Sequence, residues 1–369
     1  RRIRSVILWQ VCAVGLVGGL LGGLLALPTA RVYLLTWREF SLFPDDLPLS
    51  MPLFGIPATM LVTALFSVLG GLGAARRAAN VPEMQALREA TSPRSRTKLW
   101  QWIAAVFFLI PVVLMPILIN LPPEALHSAH TPEMPDVPTE AATTDFESPG
   151  DRAVLGGGIG LMVALAALFI PNWTVRPLLI GWTSLIPGRS PAWFAARANA
   201  RHRSAFSLTT IVPFAIAVAM TGVFYTVANA GRAAGGMNGG VNGFLTIMVP
   251  IFFVAGAGGI ANIAMVGRTR RQEGALLGVL GARSGTILGS TILEGAIYAI
   301  TGILFGLAMT LLSAISAALM SGGGMEVFIG SIPVTTLLPT IGASLVLAIT
   351  TTWLPAQLDR QPMMENLPV

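Results

Sequence analysis

The sequence predicts an all-α membrane protein of about eight transmembrane helices with both ends in the cytoplasm. Three observations carry that expectation. Hydrophobic residues make up 54% of the chain and charged residues 11%, against about 25% charged in a soluble globular domain. The apolar residues gather into runs long enough to cross a bilayer, for which about 20 residues span about 30 Å of hydrocarbon. The arginines cluster between those runs, on alternate loops. In lipid the backbone must satisfy its own hydrogen bonds, and a single continuous segment does so as a helix.

Eight runs qualify, over 6–29, 52–73, 100–120, 153–171, 204–228, 243–266, 286–316 and 333–354. The first exceeds the 7–15-residue apolar region of a signal peptide and lacks a small-residue cleavage site, so it reads as a span. The seventh is too long for one simple crossing, and part of it is expected to lie along the interface or to extend beyond the membrane. Between the third and fourth runs, the outer loop 121–152 carries seven carboxylates among Pro, Thr and Ala. That composition reads as a mobile segment rather than a folded domain.

Orientation follows from the basic residues. Arg1, Arg2 and Arg4, the clusters within 76–98, 176–203 and 268–283, and Arg360 place nineteen of the 23 Lys and Arg residues on one side. Only Arg31, Arg38, Arg152 and Arg232 fall on the other. The positive-inside rule makes the first side cytoplasmic, and the expected location is a bacterial plasma membrane.

Other classes fit poorly. The net charge is +6, but the arginines sit in short clusters between apolar runs and not on an aromatic-interleaved polar surface, so nucleic acid is not an expected partner. Cys12 is the only cysteine, which leaves neither a disulfide framework nor a cysteine metal site. His127 and His130, three apart in a Pro-rich loop, read as solvated residues and not as metal ligands. No cluster has nucleophile, general-base or metal-ligand spacing, so no catalytic site is expected.

An internal repeat emerges when the halves are compared. Gln10, Gly18 and Gly22 align with Glu294, Gly302 and Gly306 at an offset of 284, and Pro82, Met84 and Leu87 align with Pro362, Met364 and Leu367 at an offset of 280. Small residues four apart let helix backbones approach closely in lipid, so Gly18, Gly22, Gly302 and Gly306 are the expected helix-packing residues. The second copy holds four spans and the first two. If the copies are built alike, two further spans and a basic segment precede Arg1, for ten spans in the intact protein.

Residues 268–283 concentrate the remaining signal. Arg268, Arg270 and Arg271 are followed by Glu273, then by Leu276, Leu277 and Leu280 at helical spacing, with Gly281 placed to end the turn and Arg283 beyond it. Such a helix has a basic end and one apolar face, and suits the cytoplasmic interface. Arg270-Arg271-Gln272-Glu273, Ala275-Leu276-Leu277 and Leu280-Gly281-Ala282, followed by a long span from Ile287, resemble the hallmark of the FtsX-like permease domain of ABC transporters in its two-repeat form. Ala196-Arg197-Ala198-Asn199 through Arg203, leading into the fifth span, and the closing segments Pro82 to Arg88 and Pro362 to Leu367 resemble it more weakly.

The resemblance implies a division of the chain and a partner. Residues 1–97 would be the C-terminal part of a first repeat, 98–175 a linker helix pair, 176–203 a cytoplasmic connector and 204–369 a second repeat of four helices. Residues 268–283 would be a coupling helix docking on a separate, dimeric cytoplasmic ATPase, with Arg268, Arg270, Arg271, Glu273 and Arg283 as polar contacts and the leucines as apolar ones. ATP and Mg²⁺ would bind that partner. The only lysine, Lys98, does not sit in a Gly-x-x-x-x-Gly-Lys phosphate loop, so the chain needs no cofactor of its own and is not expected to be an enzyme. Work on a peptide, lipid, lipoprotein or other amphiphile, with an extracytoplasmic partner, is the implied output. A secondary transporter driven by an ion gradient is the alternative, and it requires ionisable residues at matching places in both halves. Glu294 is the one carboxylate inside a span. It reads either as a structural polar contact, within reach of water or of Arg283, or as part of a transport pathway.

Overall fold

The structure, a computed structural model, describes residues 2–38, 54–80, 97–119, 148–188, 190–202, 204–235 and 281–358. Among them the secondary structure is helical throughout: α1 (Arg2–Arg38), α2 (Gly55–Asn80), α3 (Leu99–Ile119), α4 (Pro149–Phe169), α5 (Pro171–Leu185), α6 (Pro191–His202), α7 (Ser204–Ala233), α8 (Ser284–Ser321), α9 (Gly324–Ser331) and α10 (Val334–Leu358). Among the described residues seven stretches are long and apolar enough to cross a membrane. The span expected at 243–266 lies outside the described residues, as do the segments around Pro82 and Pro362 and most of the acidic loop.

Several boundaries differ from the sequence reading, each for a local reason. The fourth span begins at Pro149 and not at 153, because Ser148 Oγ accepts the Asp151 N–H at 3.1 Å and Pro149 occupies the first turn, the arrangement that opens a helix. It ends at Phe169, where Pro171 starts a new helix. The seventh span is one unbroken helix of 38 residues, α8, about 57 Å long at 1.5 Å per residue. Its excess length runs on along its own axis and is not split off as an interfacial piece. Gly322 then takes φ +70, the left-handed residue that closes many helices. The connector expected at 176–203 holds most of two helices, α5 and α6.

The chain divides into two compact units, 1–93 and 94–369. The first is an antiparallel hairpin of α1 and α2, held where small residues remove the side-chain spacer. A Cβ on Gly15 would lie 2.7 Å from Ala64 Cα, one on Gly19 2.5 Å from Met60 Cα, and one on Gly23 2.9 Å from Thr59 Oγ1. Gly71 returns the favour to Val11, whose Cβ would be 3.5 Å away. Gly18 and Gly22, the helix-packing residues expected from the sequence, do not make this contact: among the described residues they meet no atom within 4 Å, because α2 packs on the neighbouring stripe, about 100° around the helix.

In the second unit α8 is the central element. Gly302 abuts Phe214 and Ala215 of α7, Gly306 abuts Val218 and Ala219, and Gly222 of α7 faces Thr310. On another side α4 presents Gly156 and Gly160 to Ala317 and Ser313, while Gly157 abuts Val227 of α7. Ser313 Oγ donates to the Gly157 carbonyl at 2.8 Å and Ser316 Oγ to that of Gly156 at 2.6 Å. α10 runs antiparallel to α8, with Gly295 against Thr352, Ala299 clustered with Ala348, and Ile303 with Leu337. Burial sorts the helices accordingly: 67% of the α7 stretch is buried, against 6% of α3.

Overpacking a tight contact costs about 1–3 kcal/mol. Gly306→Leu and Gly19→Leu are therefore expected to lower the thermal midpoint of the purified protein in detergent, whereas Gly22→Leu is expected to leave it within about 0.5 kcal/mol of wild type, as for a surface change. Equal losses at Gly19 and Gly22 would contradict this hairpin packing.

Candidate functional site

A cluster of polar groups in the second unit lies where α5 and α6 meet α7 and α8. The surrounding core contains Val175, Leu179, Ala196, Ala200, Leu208 and Ile297. Two short helices pack here because their small and apolar residues face inward: Val175, Leu179 and Thr183 on α5, and Ala196 and Ala200 on α6. Ser190 Oγ accepts the Trp193 N–H at 3.1 Å and so caps α6.

Three polar connections tie these helices together. Arg201 of α6 reaches the last turn of α5, where its Nη2 donates to the Ile180 carbonyl at 2.9 Å and, with Nε, to Thr183 Oγ1 at 2.9 and 3.1 Å. A cation at a helix C-terminus also meets the negative end of the helix dipole. Burial, and secondarily the neighbouring Arg197, push the Arg201 guanidinium below its usual range; at neutral pH an arginine still remains charged. Trp182 Nε1 of α5 donates to Thr301 Oγ1 of α8 at 2.9 Å. Within α8, Tyr298 donates its hydroxyl to Glu294 Oε1 one turn earlier. Ser207 of α7 lies 3.3 Å from the Tyr298 hydroxyl while donating to the Ala200 carbonyl of α6 at 2.7 Å.

Glu294 is thus 5% exposed and joined to a tyrosine. The expectation that it stands near water or Arg283 is not met: Arg283 is exposed at the start of α8, about 16 Å along the axis from it. Gly302 and Gly306 lie on the α7 side of α8, two and three turns on from Glu294. Arg268, Arg270, Arg271, Glu273, Leu276, Leu277 and Leu280 lie outside the described residues. What is described of that segment is Gly281, at φ +86, Ala282 and Arg283, the residue before α8.

Sequence reading missed Tyr298, Ser207, Thr183, Trp182 and Thr301. Tyr298 was open to discovery, since a residue four after a buried Glu shares its helix face. Thr183 and Arg201 pair across two helices, and no spacing rule reveals that. Among the described residues no group of three His, Cys, Asp or Glu side chains could hold a metal ion. The arrangement couples helices through guanidinium, indole and hydroxyl donors. Farther along α7, the Tyr225 hydroxyl and Thr226 Oγ1 are buried without a hydrogen-bond partner among the described residues.

The chain matches no family model, no curated protein and no solved structure.

Removing one partner of a buried hydrogen bond costs about 1–3 kcal/mol, whereas replacing an unpaired hydroxyl by a methyl removes a penalty. Tyr298→Phe is therefore expected to destabilise the protein by that amount in detergent unfolding, and Thr226→Val to leave stability unchanged or raise it by about 1 kcal/mol. A Thr226→Val variant less stable than Tyr298→Phe would contradict the bonding described.

Proposed function

We propose that the chain is the permease subunit of an ABC transporter of the FtsX-like kind, in which residues 268–283 receive the push of a cytoplasmic ATPase and α8 carries it through the membrane. The observation that supports this reading best is α8. It begins three residues after Gly281, runs unbroken for 38 residues and packs against α4, α7, α9 and α10. A displacement at its start moves a rigid rod about 57 Å long. In this reading the α5–α6 end faces the cytoplasm of a bacterial cell, both termini lie on that side, and the Arg201–Thr183 and Trp182–Thr301 bonds make α5 and α6 move with α8.

The two-repeat organisation belongs to the same proposal. It is supported by the register of the two helix pairs. Val11 of α1 meets Gly71 of α2, and Gly295 of α8 meets Thr352 of α10. Gly295 lies 284 positions after Val11 and Thr352 lies 281 after Gly71, close to the offsets of 284 and 280 in the sequence alignment. α7 fills the Gly302–Gly306 face of α8, and the corresponding Gly18–Gly22 face of α1 is open among the described residues. A gradient-driven transporter would need matched ionisable groups, and the counterpart of Glu294 is Gln10. ATP and Mg²⁺ belong to the partner, and the work is done on a peptide, lipid, lipoprotein or similar amphiphile.

The triple variant Glu273→Ala/Leu276→Ala/Leu277→Ala tests the docking assignment by co-purification with an ATPase encoded beside this chain. Loss of the ATPase from the purified complex, with an unchanged thermal midpoint of the membrane subunit, is the expected result. Retained binding together with undiminished ATP hydrolysis in the complex would sink the assignment.

A further inference from the structure

At the start of α3, Lys98 occupies the N-cap position and its backbone N–H donates to Gln101 Oε1 at 2.8 Å, which fixes where the lysine leaves the helix. One turn on, Trp102 makes an edge contact with Trp173 of α5, ring centroids 5.9 Å apart. One turn beyond Trp173 stands Arg176, exposed like Lys98. Beside this pair Trp100 sits edge-on to Phe169 at 6.2 Å. Two exposed cations on two different helices therefore each stand one turn from a member of the Trp102–Trp173 pair. α3, α5 and α6 contain no Asp or Glu, so nothing on these elements neutralises the charge.

A ridge of apolar side chains leads away from the patch. Val106, Ile110 and Val113 follow Trp102 at spacings of four, four and three along one face of α3, and are 54%, 48% and 63% exposed. Tryptophan settles at the boundary of hydrocarbon and headgroups, and Lys and Arg at that depth attract anionic lipid. A free phosphate would use only the cations. The ridge suits a ligand that also has an acyl chain.

We infer that Lys98, Trp102, Trp173 and Arg176 form a binding site for an anionic phospholipid, its phosphodiester held between Lys98 and Arg176 and one acyl chain laid along Trp102, Val106, Ile110 and Val113. The site goes beyond the permease reading and stands whether or not an ATPase docks elsewhere. Because α5 is bonded through Trp182 to α8, lipid occupancy anchors the α5–α6 end of the unit in the headgroup layer.

The test is native mass spectrometry of the full chain in detergent, titrated with phosphatidylglycerol or phosphatidylcholine of identical acyl chains. Each basic residue at an anionic surface contributes about 1 kcal/mol, so two give roughly a thirtyfold preference for phosphatidylglycerol. Lys98→Gln/Arg176→Gln is expected to abolish the preference, and Lys98→Arg/Arg176→Lys to keep it. Arg232→Gln, at the far end of α7, is expected to leave it intact. Undiminished preference in the Gln variant would overturn the site. So would loss of preference in the charge-preserving variant, or displacement of the lipid by inorganic phosphate at millimolar concentration. Thermal midpoints measured alongside identify a variant that has unfolded, and in that case Trp102→Leu/Trp173→Leu is expected to weaken phosphatidylglycerol binding, with unchanged binding again overturning the site.

Discussion

Close approach of helix backbones at small residues is the constraint on which the rest of this molecule depends. In lipid there is no water to expel from between two helices, so association rests on van der Waals contact and on hydrogen bonds between helices. Both grow as the axes come together. Glycines at 156, 157, 160, 222, 302 and 306 remove the side chains that would hold α4, α7 and α8 apart. Proximity then lets Ser313 and Ser316 of α8 reach the backbone carbonyls of Gly157 and Gly156 on α4. A leucine-rich interface of the same length would keep the axes too far apart for those bonds.

α8 gains its central place from distributing such contacts around its circumference. Gly302 and Gly306 take α7, Ser313 and Ala317 take α4, and Gly295 and Ala299 take α10. A helix gripped on three sides over most of its length cannot bend locally without breaking several contacts, which suits it to move as one piece. At the end where α5 and α6 lie, Glu294, Tyr298 and Ser207 add a link among three helices through hydroxyls. Direction comes from the polar groups and adhesion from the glycines.

Much of this was legible in the sequence. Long apolar runs announce spanning helices because lipid leaves the backbone no other way to satisfy its bonds, and all the runs within described residues became helices. The glycine periodicity suggested close packing without naming partner helices, and in the structure Gly302 and Gly306 lie against α7. On α1 two glycine stripes stand side by side, and the sequence does not say which one α2 prefers. The contacts at Gly15, Gly19 and Gly23 needed the partner helix to be seen. The site was less legible. Glu294 stood out because a carboxylate in an apolar run is rare, yet its surroundings depend on Tyr298 and Ser207, the latter 87 positions earlier in the chain. Trp182 and Thr301, 119 residues apart, meet only because α5 folds back beside α8.

The central physical claim is that α4, α7 and α8 touch backbone to backbone at small residues, with Gly157 turned toward Val227 and Gly158 turned away. Cys12 is the only native cysteine, so a Cys12→Ser background gives a clean reporter. A Cβ at Gly157 would lie 3.5 Å from the Val227 Cβ, whereas one at Gly158 meets nothing within 4 Å; disulfides form at Cβ separations of about 3.5–4.5 Å. Oxidative cross-linking in native membranes, read by mass spectrometry of the linked peptides, is predicted to join Gly157→Cys to Val227→Cys and to leave Gly158→Cys with Val227→Cys unlinked. Efficient linkage of the second pair, or none of the first, would contradict the packing on which the whole account rests.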